Sequence, residues 1–292
     1  MAEHSNQVPV LRCVVSAFLF LRRNLAYVYG IGALYVVANI ASTWLSLYRP
    51  QAPMMQGLGA ILSIILIPLV VMLFAAFLRR GLGMGDQRGS GLQFGTDELR
   101  LFLTMFAVGG VSVFIIFLGV LAGMFMVSAV VASVVDPAII EAEPASAFAH
   151  AGMAGIMAAI VAALGVGALG LYTLARFSPA YPAAIAERRV VIFEAATWSK
   201  GQGWRMALAI LLTGLPFYLI LAPGMIQYAQ YILAHLPSGG TGAVVVPEGF
   251  DLKPFFWFFA LSALIWPASK GAISGLYVTF YRGLRANEGK PS

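Results

Sequence analysis

The chain has 292 residues, of which 60% are hydrophobic and 10% charged, with a formal net charge of +6 and a mean hydropathy of +0.87. A water-soluble domain needs far more polar surface, so this composition makes the bilayer the solvent for most of the chain. The basic residues form no run, which speaks against nucleic acid as a partner, and a single cysteine, Cys13, excludes an intrachain disulfide.

The N-terminus has no basic start and no small-residue cleavage site, which predicts that no signal peptide is removed. Residues 8–23 are too short and too interrupted to span a membrane. Arg12, Ser16 and Arg23 fall near one helical face and Val14, Val15, Phe18 and Leu21 largely away from it, which predicts a helix lying in the membrane interface. Six long apolar stretches follow, near residues 25–47, 57–78, 101–133, 148–175, 204–233 and 254–281. They predict an all-α integral membrane protein with six transmembrane helices in three hairpins. No connection is long enough for a separate globular domain, so residues 1–292 read as one membrane domain.

The first span closes at Tyr48-Arg49-Pro50, with Trp44 and Tyr48 placed to anchor an interface. The second carries Pro68 and ends at Arg79-Arg80. The Gly-rich connection after it ends in a helix start, where Thr96 or Asp97 can cap and Glu98 sits near the positive end of the helix dipole. The third stretch, from Leu101 to Ser133, runs about 50 Å at the helical rise. That exceeds the ~30 Å hydrocarbon core, so it must tilt, project or break, with Gly109-Gly110 as the expected break.

In the fourth span Ala151, Gly155, Ala159, Ala163 and Gly167 recur every four residues, beside a second row of Ala154, Ala158, Ala162 and Gly170. Small residues at this spacing let helix backbones approach closely, which predicts this helix at the centre of the bundle. Gly119 and Gly123 on the third stretch, and Gly271 and Gly275 on the sixth, make similar pairs. Residues 183–199, preceded by Pro179 and Pro182, predict a second interfacial helix. Pro216 and Pro223 in the fifth span and Pro267 in the sixth mark kinks. Three units share a plan of cytoplasmic segment, outgoing span and returning span, although six-helix topology alone produces the same alternation.

Fifteen of the eighteen Lys and Arg fall on one side of this topology. Short basic loops stay cytoplasmic, so both termini are predicted inside a bacterial inner (plasma) membrane. Arg outnumbers Lys 14 to 4, a usage associated with GC-rich bacterial genomes. Arg22, Arg23, Arg79, Arg80, Arg188, Arg189 and Arg205 are candidate contacts for anionic lipid headgroups.

Lys270 lies 12 residues before Arg282, which places it ~18 Å along the helix axis and near the midplane if Arg282 marks the inner interface. An ionisable residue at that depth costs at least ~2.5 kcal/mol and marks a functional site by default. With Pro267 and Gly271 it is a candidate ligand site for an anion in an aqueous cavity. The alternative is that it snorkels or bonds carbonyls freed by Pro267. His150 and His235, with Asp136, Glu141 or Glu143, have no metal-ligand spacing and read better as interfacial residues, so no metal and no cofactor are expected. Ala272-Ile273-Ser274-Gly275 is superficially like an intramembrane protease serine motif, but both histidines are predicted on the far side, out of reach of Ser274. No catalytic set is present in the sequence.

The stretch Ala196-Thr197-Trp198-Ser199-Lys200-Gly201, followed by Trp204-Arg205 at the head of the next helix, resembles a segment of uncharacterised six-helix bacterial inner-membrane proteins. Together with residues 94–102 it is similar to the membrane domain associated with glycerophosphodiester phosphodiesterases. The phosphodiesterase domain itself is absent, so the resemblance implies a helical membrane bundle and not that activity.

These features together favour a non-enzymatic inner-membrane protein that binds anionic lipid or organises a membrane-protein partner. The alternative is a transporter or channel for a small or amphiphilic anion that uses a midplane lysine. A cavity reaching Lys270 favours the second; a solid core with Lys270 turned to lipid favours the first.

Overall fold

A computed structural model describes residues 8–48, 53–84, 92–142, 147–234 and 251–287, and among them it contains helices and no strand. In chain order these are α1 (Val10–Arg23), α2 (Leu25–Tyr48), α3 (Pro53–Leu82), α4 (Thr96–Val134), α5 (Pro137–Ala142) and α6 (Ala147–His150). They continue with α7 (Gly152–Phe177), α8 (Ala180–Ala186), α9 (Ile192–Trp198), α10 (Gly203–Ala234) and α11 (Phe256–Asn287). Helices α2, α3, α4, α7, α10 and α11 are each long and apolar enough to cross a bilayer, so the chain is a multi-pass membrane protein. Hydrocarbon offers the backbone no hydrogen-bond partner, so a spanning segment must satisfy its own N–H and C=O groups, as a helix does.

Helix α2 packs on α3, α4 on α7, and α10 on α11, while α11 also contacts α2, α3 and α1. The core is concentrated at one end of this bundle, the end that carries most of the arginines. There Leu73, Phe77 and Leu78 of α3 are buried, together with Leu101 of α4, Met206 of α10 and Leu276 and Phe280 of α11. Toward the other end Ile61 and Ile64 of α3, Phe114 and Phe125 of α4, and Leu219 and Ile226 of α10 are exposed. The helices are thus tied at the Arg-rich end and expose apolar faces toward the other.

Close approaches produce that tie. A Cβ built on Gly275 would lie 2.8 Å from the Phe20 ring, and one on Gly32 2.9 Å from Pro267. Helix α1 lays Cys13 and Ala17 against the core while Arg12, Arg22 and Arg23 stay exposed with Leu11, Val15 and Leu19 on its outer side. Between α3 and α4, Arg79 pairs with Glu98, whose side chains are 7% and 1% exposed. The second Glu98 oxygen accepts the Gly95 N–H at 2.9 Å, so one carboxylate both neutralises a buried arginine and closes the first turn of α4.

Several expectations need correction. Gly95, not Thr96 or Asp97, is the N-cap of α4. This helix continues unbroken through Gly109-Gly110, because breaking it in lipid would strand backbone groups. Residues 183–199 are not one interfacial helix but parts of α8 and α9. These are separated at Glu187–Val191, where Arg188 adopts φ 53°. Helix α8 is buried from Ala180 to Ile185 and packs against α3, α4 and α11; its alanines let it fit inside the bundle. Helix α7 lies at the flank rather than the centre. Of its first small-residue row, Gly155 is buried, Ala159 half-buried, and Ala163 and Gly167 exposed, whereas Ala162 and Gly170 of the second row face Gly123 and Ile116 of α4.

Three outcomes follow from this packing. Replacing Glu98 by Leu removes the buried carboxylate that neutralises Arg79, and thermal unfolding in micelles should show a loss of about 3–5 kcal/mol. The double variant Arg79→Met/Glu98→Leu should recover most of it; equal losses in single and double variants would refute the pairing. Gly275→Leu should cost about 1–3 kcal/mol by overpacking against Phe20, while Gly167→Leu, with nothing within 4 Å of a built Cβ, should unfold like wild type. Burial pushes the Cys13 thiol above its ordinary pKa, against a smaller opposing effect of Arg12. Maleimide labelling at neutral pH should therefore be about tenfold slower than in the unfolded chain, and equal rates in the two states would rule out the buried thiol.

Candidate functional site

Lys270 sits near the middle of α11, on the turn after Pro267. Proline removes one helical donor, so the carbonyl four residues before it loses its partner. Beside that break the Tyr29 hydroxyl donates to the Leu264 carbonyl at 3.2 Å. Pro267 itself packs into the space left by Gly32. This contact fixes the rotation of α11 and turns Trp266 and Lys270 away from it. Trp266 stacks on Tyr35 of α2 with ring centroids 4.1 Å apart, and the Lys270 ammonium lies 5.9 Å from the centroid of the same indole.

Lys270 lines a cavity of about 370 Å³ between α3, α4, α7, α8, α10 and α11. Tyr181, Tyr218 and Tyr277 bring phenol groups to its wall, and Val70, Met105 and Ile210 contribute apolar surface. Tyr181 and Tyr277 stack on each other at 5.6 Å. Among the described residues Lys270 makes no ion pair, and its ammonium lies over the Trp266 ring. An ammonium and phenolic hydroxyls are all hydrogen-bond donors, so the wall suits an acceptor-rich, negatively charged guest.

Of the three residues expected to form this site, only Lys270 reaches the cavity. Pro267 and Gly271, four apart, share the neighbouring stripe of α11 that packs on α2, where a Cβ on Gly271 would meet Val28 at 3.1 Å; their role is packing. Trp266 and Tyr277 were legible in principle, being four residues before and seven after Lys270 on one helical stripe. Tyr181 and Tyr218 come from other helices, and no local pattern announces them.

The candidate headgroup residues divide. Arg22, Arg23, Arg188 and Arg205 are exposed. Arg80 is exposed but donates to Asn24 Oδ1 at 2.9 Å and lies over Tyr27. Arg189 is held by Glu187 and Glu194 at 2.9 and 2.6 Å. Arg79 is not placed for a headgroup, since it is buried against Glu98. Gly119 and Gly123 face Leu169 and Ala162 of α7.

The resembling segment has a defined structural role. Arg176 donates to Ser199 Oγ at 3.0 Å and to the Ala196 carbonyl at 2.6 Å, and Ser199 Oγ donates back to the Arg176 carbonyl at 2.9 Å. Gly201, with φ 77°, then turns the chain into α10. The Ser274 hydroxyl is buried and donates to the Lys270 carbonyl at 2.7 Å, so it is occupied within the helix. His150 is exposed, and His235 and Glu143 lie outside the described residues, among which no three metal-ligating side chains gather.

The chain matches no model of a known protein family, no curated protein and no solved structure.

Proposed function

We propose that this membrane protein is non-enzymatic and binds a small or amphiphilic anion in the Lys270 cavity, as a carrier or channel would. The observation that carries the reading is a lysine in mid-helix, lining a cavity rather than lipid, with no carboxylate paired to it among the described residues. A charge removed from water needs a counter-charge or water beside it. A guest anion supplies the former at Lys270, and the tyrosines can donate to it. The reading includes the three-hairpin arrangement in a bacterial inner membrane with both termini cytoplasmic, supported by the concentration of Lys and Arg at one end.

A second reading, a lipid-binding or partner-organising role at the inner surface, draws on α1. Its outer side combines exposed Leu11, Val15 and Leu19 with Arg12, Arg22 and Arg23, the pattern of a helix seated among anionic headgroups. The two readings differ in where the anion sits. Native mass spectrometry of gently extracted wild type and Lys270→Met separates them. An anionic ligand whose occupancy falls about tenfold in the variant supports the cavity, as expected for loss of a charge-assisted contact. A lipid or protein partner retained equally in both supports the surface role and overturns the Lys270 assignment.

A further inference from the structure

The Lys270 cavity shares part of its wall with another space. A second cavity, of about 410 Å³, lies between α2, α3 and α4. Val70 of α3 and Met105 of α4 line both, so the two spaces lie on either side of the same pair of side chains. Aromatic contact joins them as well: Tyr35 lines the second space and stacks on Trp266, which lines the first.

Polarity changes along this path. At one end stand an ammonium and three phenols. Past Val70 and Met105 the walls are Leu66, Ile67, Phe102 and Phe106, with Asn39 and Tyr35 as the polar exceptions. At the outer end Ile67 is 57% and Phe106 74% exposed, on helices whose surroundings are lipid. A small inorganic anion makes no use of such a path, whereas a molecule with a negative head and an apolar tail uses all of it.

Resting on the Lys270 reading, we infer that the ligand is a single-chain anionic amphiphile, its headgroup at Lys270 and its chain passing between α3 and α4 into the bilayer. Charge complementarity fixes the head, and the second cavity, reached past the shared Val70 and Met105 side chains, gives the chain its exit. Because the path opens sideways, such a ligand can enter from the membrane without crossing water.

The test uses the full chain in nanodiscs with palmitate carrying a diazirine near the chain end. After photolysis, adducts are mapped by peptide mass spectrometry. Adducts should concentrate on Leu66, Ile67, Phe102 and Phe106, about tenfold above lipid-facing Phe114 and Ile226, and should fall by a similar factor in Lys270→Met. Ile67→Trp, a change at the exposed mouth that leaves the core intact, should also deplete them. Unlabelled palmitate should suppress them at concentrations about tenfold below those at which butyrate does. Equal labelling of Phe106, Phe114 and Ile226, unaffected by Lys270→Met, would overturn the inference, as would occupancy of this face by a second copy of the chain cross-linked through the same residues. Saturation-transfer NMR with butyrate distinguishes the two levels. Butyrate binding lost in Lys270→Met without groove adducts keeps the anion site and refutes the lateral chain, whereas neither signal refutes the site itself.

Discussion

Close packing of side chains against helix glycines, from the Arg-rich end to the middle of the bundle, is the constraint on which the rest of this molecule depends. Lipid tails are as apolar as leucine, so a membrane bundle gains little from burying one apolar helix against another. Cohesion must come from packing and from polar locks. Gly275 against Phe20 and Gly32 against Pro267 provide the first kind, since neither site has room for a side chain. The buried helix α8 fills the space between α3, α4 and α11 with alanines. Where these contacts stop the helices expose their flanks, and Lys270 stands near that boundary.

Carboxylates supply the second kind. Glu98 holds Arg79 and the Gly95 amide. Glu187 accepts from Tyr281 and pairs with both Arg189 and Arg285, while Arg285 also lies over the Trp198 ring at 4.9 Å. The end of α11 is thereby fastened to the turn between α8 and α9. Among the described residues, Asp97, Glu98, Glu187 and Glu194 at this end pair with neighbouring arginines, while Arg22, Arg23 and Arg205 are exposed.

Hydropathy made the six spans legible, because a bilayer imposes one demand on every residue that crosses it and long apolar runs answer it without reference to the rest of the chain. Lys270 was legible for the same reason, as an exception to that demand. Features that depend on two distant segments were not. Arg79 and Glu98 are separated by a Gly-rich connection, and each reads on its own as an ordinary interfacial charge. Helix α8 is seven residues, too short for a periodicity that marks a buried face, and only the helices around it show that it is enclosed. Gly109 and Gly110 would weaken a helix in water, but in hydrocarbon a continuous helix is the arrangement that leaves no backbone group unpaired. The spacing of four along α7 identified a smooth helix without saying which of its two small-residue rows meets a neighbour.

Helix α4 has 39 residues, about 58 Å at the helical rise, nearly twice the ~30 Å hydrocarbon core. It must lean or protrude, and the bilayer decides how far. The same helix contributes Met105, one of the two side chains standing between Lys270 and the lipid. With its foot fixed by Glu98 and its far length free of the core, α4 is a lever whose tilt follows membrane thickness. The width of the gap beside α3 is then a property of the host bilayer as much as of the protein.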